Sequence, residues 1–140
     1  MRRAFVDTDI LSEILKGKNV AVGQRAATYH EHHRRLTVSA VTIMEVVKGF
    51  HKAGRPVELK RFLEAASSME VLPFDSECAQ IAGTIYADLE RTGQPLGRAD
   101  PMIAGTSLAH GLVLVTGNEA HYARIQRLGH ALSIENWRTA

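Results

Sequence analysis

Short apolar runs alternate with amphipathic stretches along the whole chain, the pattern of an α/β domain built on a largely parallel sheet. Ala4-Phe5-Val6 reads as a buried strand, and Asp7-Thr8-Asp9 follows it at once. Ile10, Leu11, Ile14 and Leu15 then recur at helical spacing as far as Gly17, and a weakly patterned helix covers residues 20 to 35. Leu36 to Val38 forms a second strand, and Ile43, Val46, Val47 and Phe50 keep the repeat of a helix running to about Lys52. Pro56 sits in the first turn of a helix reaching Ala66, followed by a third strand over Met69 to Leu72. Asp75 is an N-cap for the clearest helix of the chain, with Cys78, Ile81, Ala82, Ile85 and Leu89 on one face and Gly93 and Pro95 at its end. Asp100-Pro101 opens a further helix that stops at His110-Gly111. Leu112 to Val115 is a strand that closes in Thr116-Gly117-Asn118, and a short helix over 119 to 128 precedes a last strand around Ala131 to Ile134. The pattern predicts about five strands and six or seven helices.

Composition narrows the class without naming a function. The 140 residues are 45% apolar and 23% charged, which excludes disordered and fibrous chains and favours one domain over residues 1 to 140. Cys78 stands alone, so neither an internal disulfide nor a Cys-x-x-Cys zinc site is available, and a reducing, cytoplasmic setting is expected. The run Ala4 to Val6 is too short for a signal peptide, and nothing approaches the roughly 20 apolar residues of a membrane span. Seventeen Lys and Arg face fifteen Asp and Glu, a net of +2, so bulk charge does not select a nucleic-acid partner. The placement of the acids matters more.

In open parallel sheets ligands bind beyond the carboxyl ends of the strands. Asp7 and Asp9 follow the first strand; Ser39, Thr42 and Glu45 follow the second; Asp75 follows the third. Thr116, Asn118 and Glu119 follow the strand ending at Val115, and Asp100 starts the helix before it. Carboxylates gathered there without a partner repel, and some would take up protons. A hard divalent cation, Mg²⁺ or Mn²⁺, removes the conflict and can activate water for in-line attack on a phosphodiester. Each acid also has a local explanation. Asp7, Thr8 or Asp9 could cap the first helix, Thr42-x-x-Glu45 fits a capping box, and Asp100-Pro101 fits an N-cap followed by a helix-starting proline. Asp75 is fully explained as a cap. His30, His32 and His33 lack the zinc-protease spacing, since Arg34 stands where the second histidine would fall, and they read as a solvated helix face.

Four segments in order carry a family resemblance. Phe5-Val6-Asp7-Thr8-Asp9-Ile10-Leu11, Ser39-Ala40-Val41-Thr42-Ile43-Met44-Glu45-Val46, Gly97-Arg98-Ala99-Asp100-Pro101-Met102-Ile103-Ala104 and Leu114-Val115-Thr116-Gly117-Asn118 resemble those of PIN-domain ribonucleases, specifically the VapC-like toxins of bacterial toxin–antitoxin pairs. The resemblance implies a three-layer α/β/α sandwich in which Asp7 and Asp100 are the main metal ligands. Glu45 would be a further ligand or orient a water, and Thr116 and Asn118 would line the pocket. It also implies RNA cleavage, a homodimer, and inhibition by a VapB-like antitoxin. The chain departs from the family at Asn118, near which relatives often carry a fourth acid. His121-Tyr122 stands where many have an acid followed by phenylalanine. Glu119 is a candidate substitute for that acid, and Asp9, an extra carboxylate where relatives often have a neutral residue, is a candidate to compensate. Arg98 and Lys48 are candidate phosphate contacts, with pairing to Asp100 and Glu45 as the alternative. Two competing classes stay open: a PIN-fold binding domain without catalysis, and a phosphoacceptor domain with Asp75 as acceptor, against which the absence of a lysine in Ser133 to Trp137 counts heavily.

Overall fold

Tyr29 bridges the two halves of the sheet. The computed structural model describes residues 1–94 and 99–139. Its elements run β1 (Ala4–Val6), α1 (Thr8–Lys16), α2 (Val20–His33), β2 (Thr37–Ser39), α3 (Ala40–Lys52), α4 (Pro56–Ala66), β3 (Glu70–Leu72), α5 (Ser76–Arg91), α6 (Asp100–His110), β4 (Val113–Val115), α7 (Glu119–Arg127) and β5 (Ile134–Glu135). Two parallel ladders form, β1-β4-β5 and β2-β3. β1 and β2 lie side by side, yet no ladder joins them among the described residues. The Tyr29 hydroxyl stands in for a strand partner there: it accepts from Ala4 N at 3.1 Å and donates to Ala4 O at 3.2 Å. Both backbone groups of Ala4 on that side are thereby satisfied.

Side chains alternate across the strands and so feed two cores. Phe5 and Leu114 join Ile85, Leu89, Ile103 and Ile125 from α5, α6 and α7. Ala4, Val6, Val113 and Val115 face the opposite way, among Ile10, Leu11, Val22, Phe62 and Trp137. The result is the expected α/β/α sandwich, with α1 to α4 chiefly on one side and α5 to α7 on the other. Helices α5 and α6 form the tightest helix pair: a Cβ at Gly105 would sit 2.9 Å from the Cys78 carbonyl and 3.1 Å from the Ala82 side chain. That approach fixes the placement of α6, which carries Asp100. α2 buries just Val22 and Tyr29, which is why its apolar pattern is faint. Among the described residues, no helix is long and apolar enough to cross a membrane.

Several expected boundaries move. β2 starts at Thr37 and takes in Ser39, which pairs with Leu72 and then caps α3 by accepting from Val41 N at 2.9 Å. The last strand is Ile134–Glu135 rather than Ala131 to Ile134, because Glu135 is the residue that aligns with Val115. Helix α5 ends at Arg91, before Gly93; Pro95 lies outside the described residues. The helix over Pro56–Ala66 and the stop of α6 at Gly111, in the left-handed conformation, fall where the sequence places them.

Candidate active site at the carboxyl edge of the sheet

Asp7 leaves the buried end of β1 and meets the end of β4. Its Oδ1 accepts from Thr8 N at 2.8 Å, the bond of an N-cap, so the local reading of this acid is correct as far as it goes. Its Oδ2 is held by two further donors, Thr116 Oγ1 at 2.8 Å and the Tyr122 hydroxyl at 3.1 Å. Capping needs one oxygen and tolerates solvent. Asp7 instead is 4% exposed, and its carboxyl is pushed up to about 6, chiefly by burial and then by the charge of Asp9, with a smaller push from Asp100. The hydrogen bonds from Thr116 and Thr8 oppose the rise without cancelling it.

The other acids arrive by different routes. Asp100 is not the N-cap of α6: Ala99 holds that position without a side-chain bond, and Asp100 is the first helical residue. Its carboxylate is therefore not spent on the local backbone. Oδ2 lies 2.9 Å from His121 Nδ1, and Asp100 is buried at 9% exposure. The capping box at Thr42 and Glu45 also fails, because Ser39 caps α3 and both residues lie inside the helix. Glu45 Oε1 accepts from Thr8 Oγ1 at 2.7 Å, and that hydroxyl also bonds Thr42 Oγ1 at 3.2 Å. Thr8 thus links Glu45 to Asp7 across α1 and α3. Asp9 turns aside: Oδ2 accepts from Gly117 N at 2.8 Å and lies 3.5 Å from Arg138 Nη2, while Arg138 Nε donates to Glu13 at 2.7 Å. Gly117 has no Cβ to obstruct this; one would collide with the Arg138 guanidinium and with Asp9 Oδ2.

The remaining candidates divide. Thr116 is fully buried and, besides donating to Asp7, accepts from Asn118 N at 3.0 Å. The Asn118 side chain is exposed and makes no capping bond. Glu119 is exposed and accepts from Asn136 Nδ2 at 3.0 Å. Lys48 is exposed on α3 and makes no ion pair with Glu45 among the described residues. Arg98 lies outside the described residues. Asp75 caps α5, accepting from Cys78 N at 3.0 Å, as its sequence position indicated. His30 and His32 are exposed, and His33 rests on Tyr29 with Nε2 2.8 Å from Met1 O.

Four residues of the cluster were not singled out from the sequence as site residues: Thr8, His121, Tyr122 and Arg138. A signal existed for two of them. His121 and Tyr122 are consecutive on α7 just past the Thr116 turn, at the edge where the acids gather. Tyr122 is wholly buried, and its hydroxyl is pushed well above its usual range by burial first and by Asp7 second. Tyr86 on α5 is raised by burial and then by Asp100.

The donor set fits a hard divalent cation. Asp7 is a buried carboxylate beside two others and has no ion-pair partner among the described residues, so positive charge is what the site lacks. The groups offered are carboxylate oxygens, which suit Mg²⁺ or Mn²⁺ over softer metals. Among the described residues no three Asp, Glu, His or Cys groups close around one point. An ion that keeps its waters and takes one or two carboxylates does not need such a cage. Asp7 and Asp100 are the pair that would hold it, with Glu45 behind Thr8.

Comparison with known proteins supplies context for this geometry. Residues 4–128 match the PIN domain family. The chain is 32% identical over 138 residues to the tRNA(fMet)-specific endonuclease VapC of Shigella flexneri, a match covering 98% of this chain and 99% of the relative. It is 33% identical over 138 residues, with the same coverage, to the tRNA(fMet)-specific endonuclease VapC of Salmonella typhimurium. Among solved structures it superposes on a chain of the DNA-bound VapBC of Salmonella typhimurium with a TM-score of 0.80 and 32% identity, covering 98% of this chain and 99% of that one. VapBC2 from Rickettsia felis shares the fold at a TM-score of 0.81 and 22% identity, over 96% of this chain and 98% of that one.

Proposed function

This chain belongs to the PIN-domain family and is a VapC-type ribonuclease, and from that premise we propose that it is a divalent-metal-dependent endoribonuclease toxin, neutralised by a VapB-type antitoxin, that cuts RNA at the carboxyl edge of its sheet. The observation that carries the reading is Asp7: a carboxylate held by three donors, raised by burial first and by the neighbouring acids second, and without a counter-charge among the described residues. Beyond its capping bond, an acid buried in that state at a strand end costs stability when charged, and a positive ligand offsets that cost. Bound at Asp7 and Asp100, Mg²⁺ or Mn²⁺ would polarise water and phosphate oxygens for hydrolysis of the phosphodiester.

The chain's own groups prepare that chemistry. Thr116 and Tyr122 fix Asp7 Oδ2, so the carboxylate cannot rotate. Thr8 spans Asp7 and Glu45 through its backbone N–H and its hydroxyl, keeping Glu45 at the rim, where it can accept a proton from water. Arg138 draws Asp9 aside and partly offsets its charge, which keeps the pocket from repelling an RNA backbone more strongly. The names of the two relatives make tRNA(fMet) the first substrate to test.

The test is cleavage of tRNA(fMet) and of total RNA by purified protein in Mg²⁺ or Mn²⁺, in EDTA, and by Asp7→Asn. Cutting is expected in metal, absent in EDTA, and reduced at least about 100-fold in the variant. Equal cutting by parent and variant, or cutting that ignores EDTA, would overturn the assignment.

A further inference from the structure

Helix α7 touches the acid cluster with two consecutive side chains that act on two different carboxylates. His121 Nδ1 lies 2.9 Å from Asp100 Oδ2, and the Tyr122 hydroxyl lies 3.1 Å from Asp7 Oδ2. Asp7 comes from the end of β1 and Asp100 from the start of α6, so α7 bridges segments that are distant in sequence. The helix is firmly seated, with Tyr122 and Ile125 fully buried in the core shared with α5 and α6. Facing a carboxylate, Nδ1 must carry the hydrogen, so His121 donates and takes one Asp100 oxygen out of play. What α7 presents to the cluster is donors. Its one carboxylate, Glu119, is exposed and bonded to Asn136.

We propose that His121 is a positioning residue for Asp100, and that the His121–Tyr122 pair restricts the cluster to a single divalent ion. The inference rests on the metal-dependent reading above and adds to it a residue role and a stoichiometry. His121 holds Asp100 Oδ2 as Thr116 and Tyr122 hold Asp7 Oδ2. Each acid then has its Oδ2 fixed by side-chain donors that come from outside its own element. A second hard cation would need another carboxylate facing the pair, and at that place on α7 stands an imidazole.

The experiment is Mn²⁺ titration without RNA, by calorimetry and by electron paramagnetic resonance, on the parent and three variants whose folding is checked by circular dichroism. The parent should bind one Mn²⁺. His121→Ala should weaken binding about 10- to 100-fold, the range for loss of a group that orients a ligand. His121→Asn, whose side-chain N–H can replace Nδ1–H, should recover most of that loss, which a purely space-filling role would not predict. His121→Asp should bind two ions. Unchanged affinity in His121→Ala overturns the positioning role; two ions in the parent, or one in His121→Asp, overturns the single-ion restriction. A parent that binds no Mn²⁺ overturns this inference and the metal-dependent reading together, so the two failures are told apart by the parent's own titration.

Discussion

Asp7, just past the end of β1, and Glu70, at the start of β3, are carboxylates at opposite ends of strands that flank β2, and they are treated in opposite ways. Glu70 opens β3 and is surrounded by partners: Thr37 donates to it at 2.7 Å, Arg3 bonds it, and Arg35 lies 3.8 Å away. The Thr37 hydrogen bond first, then Arg3 and Arg35, holds its carboxyl below the usual range despite some burial. Asp7 gains hydroxyl and amide donors but no cation among the described residues, and its neighbours are Asp9 and Asp100. One end of the sheet closes its electrostatics within the protein. The other leaves a deficit that a positive ligand would fill, and that asymmetry is the ground on which we propose it as the working edge.

The comparison breaks most visibly in activity. Asp100→Asn should lower RNA cleavage at least about 100-fold, while Glu70→Gln should leave it unchanged in a side-by-side assay. A variant at Glu70 as damaged as one at Asp100 would mean that the two ends do not differ in role.

Stability sharpens the contrast, because the two acids carry opposite signs. The raised Asp7 carboxyl stabilises the fold in its protonated form; this contribution is complete below pH 3.8 and is lost as pH rises through about 6. Asp7→Asn stays neutral throughout. In EDTA at pH 8 it should resist denaturant better than the parent by up to about 3 kcal/mol, with the gap closing below pH 4. Urea unfolding across that range checks the sign, and a variant less stable than the parent at pH 8 would refute it. Glu70, with its carboxyl lowered, stabilises above its unfolded value of 4.5 and loses that contribution as pH falls through its folded one. The smallest effect belongs here: its salt-bridge partners are largely exposed, so Glu70→Gln should cost no more than about 1 kcal/mol at pH 7 by the same measurement.

Most of the architecture was legible because it depends on periodicity. The repeats at Ile43, Val46, Val47 and Phe50 and at Cys78, Ala82, Ile85 and Leu89 are burial patterns, and burial is what the helices realise. Strand limits were less legible, since three-residue strands end where partners align and Ser39 is polar. Asp7 was visible as an acid at a strand end, but whether it merely capped a helix depended on Thr116 and Tyr122, more than a hundred residues away in sequence. Local capping rules misplaced Asp100 and Glu45 because Ala99 and Ser39 took the capping positions, which no local pattern distinguishes. Arg138 reaches Asp9 because the fully buried Trp137 anchors the adjoining backbone, a tertiary fact.

The account stands on Asp7, Glu45 and Asp100 serving one cation between them. Titrating Mn²⁺ into the parent, Asp7→Asn, Glu45→Gln and Asp100→Asn by calorimetry at pH 8 tests it most directly. Binding should fall beyond detection for the two aspartate variants and about tenfold for Glu45→Gln, whose link to Asp7 runs through Thr8. Parent-like affinity in either aspartate variant would contradict it.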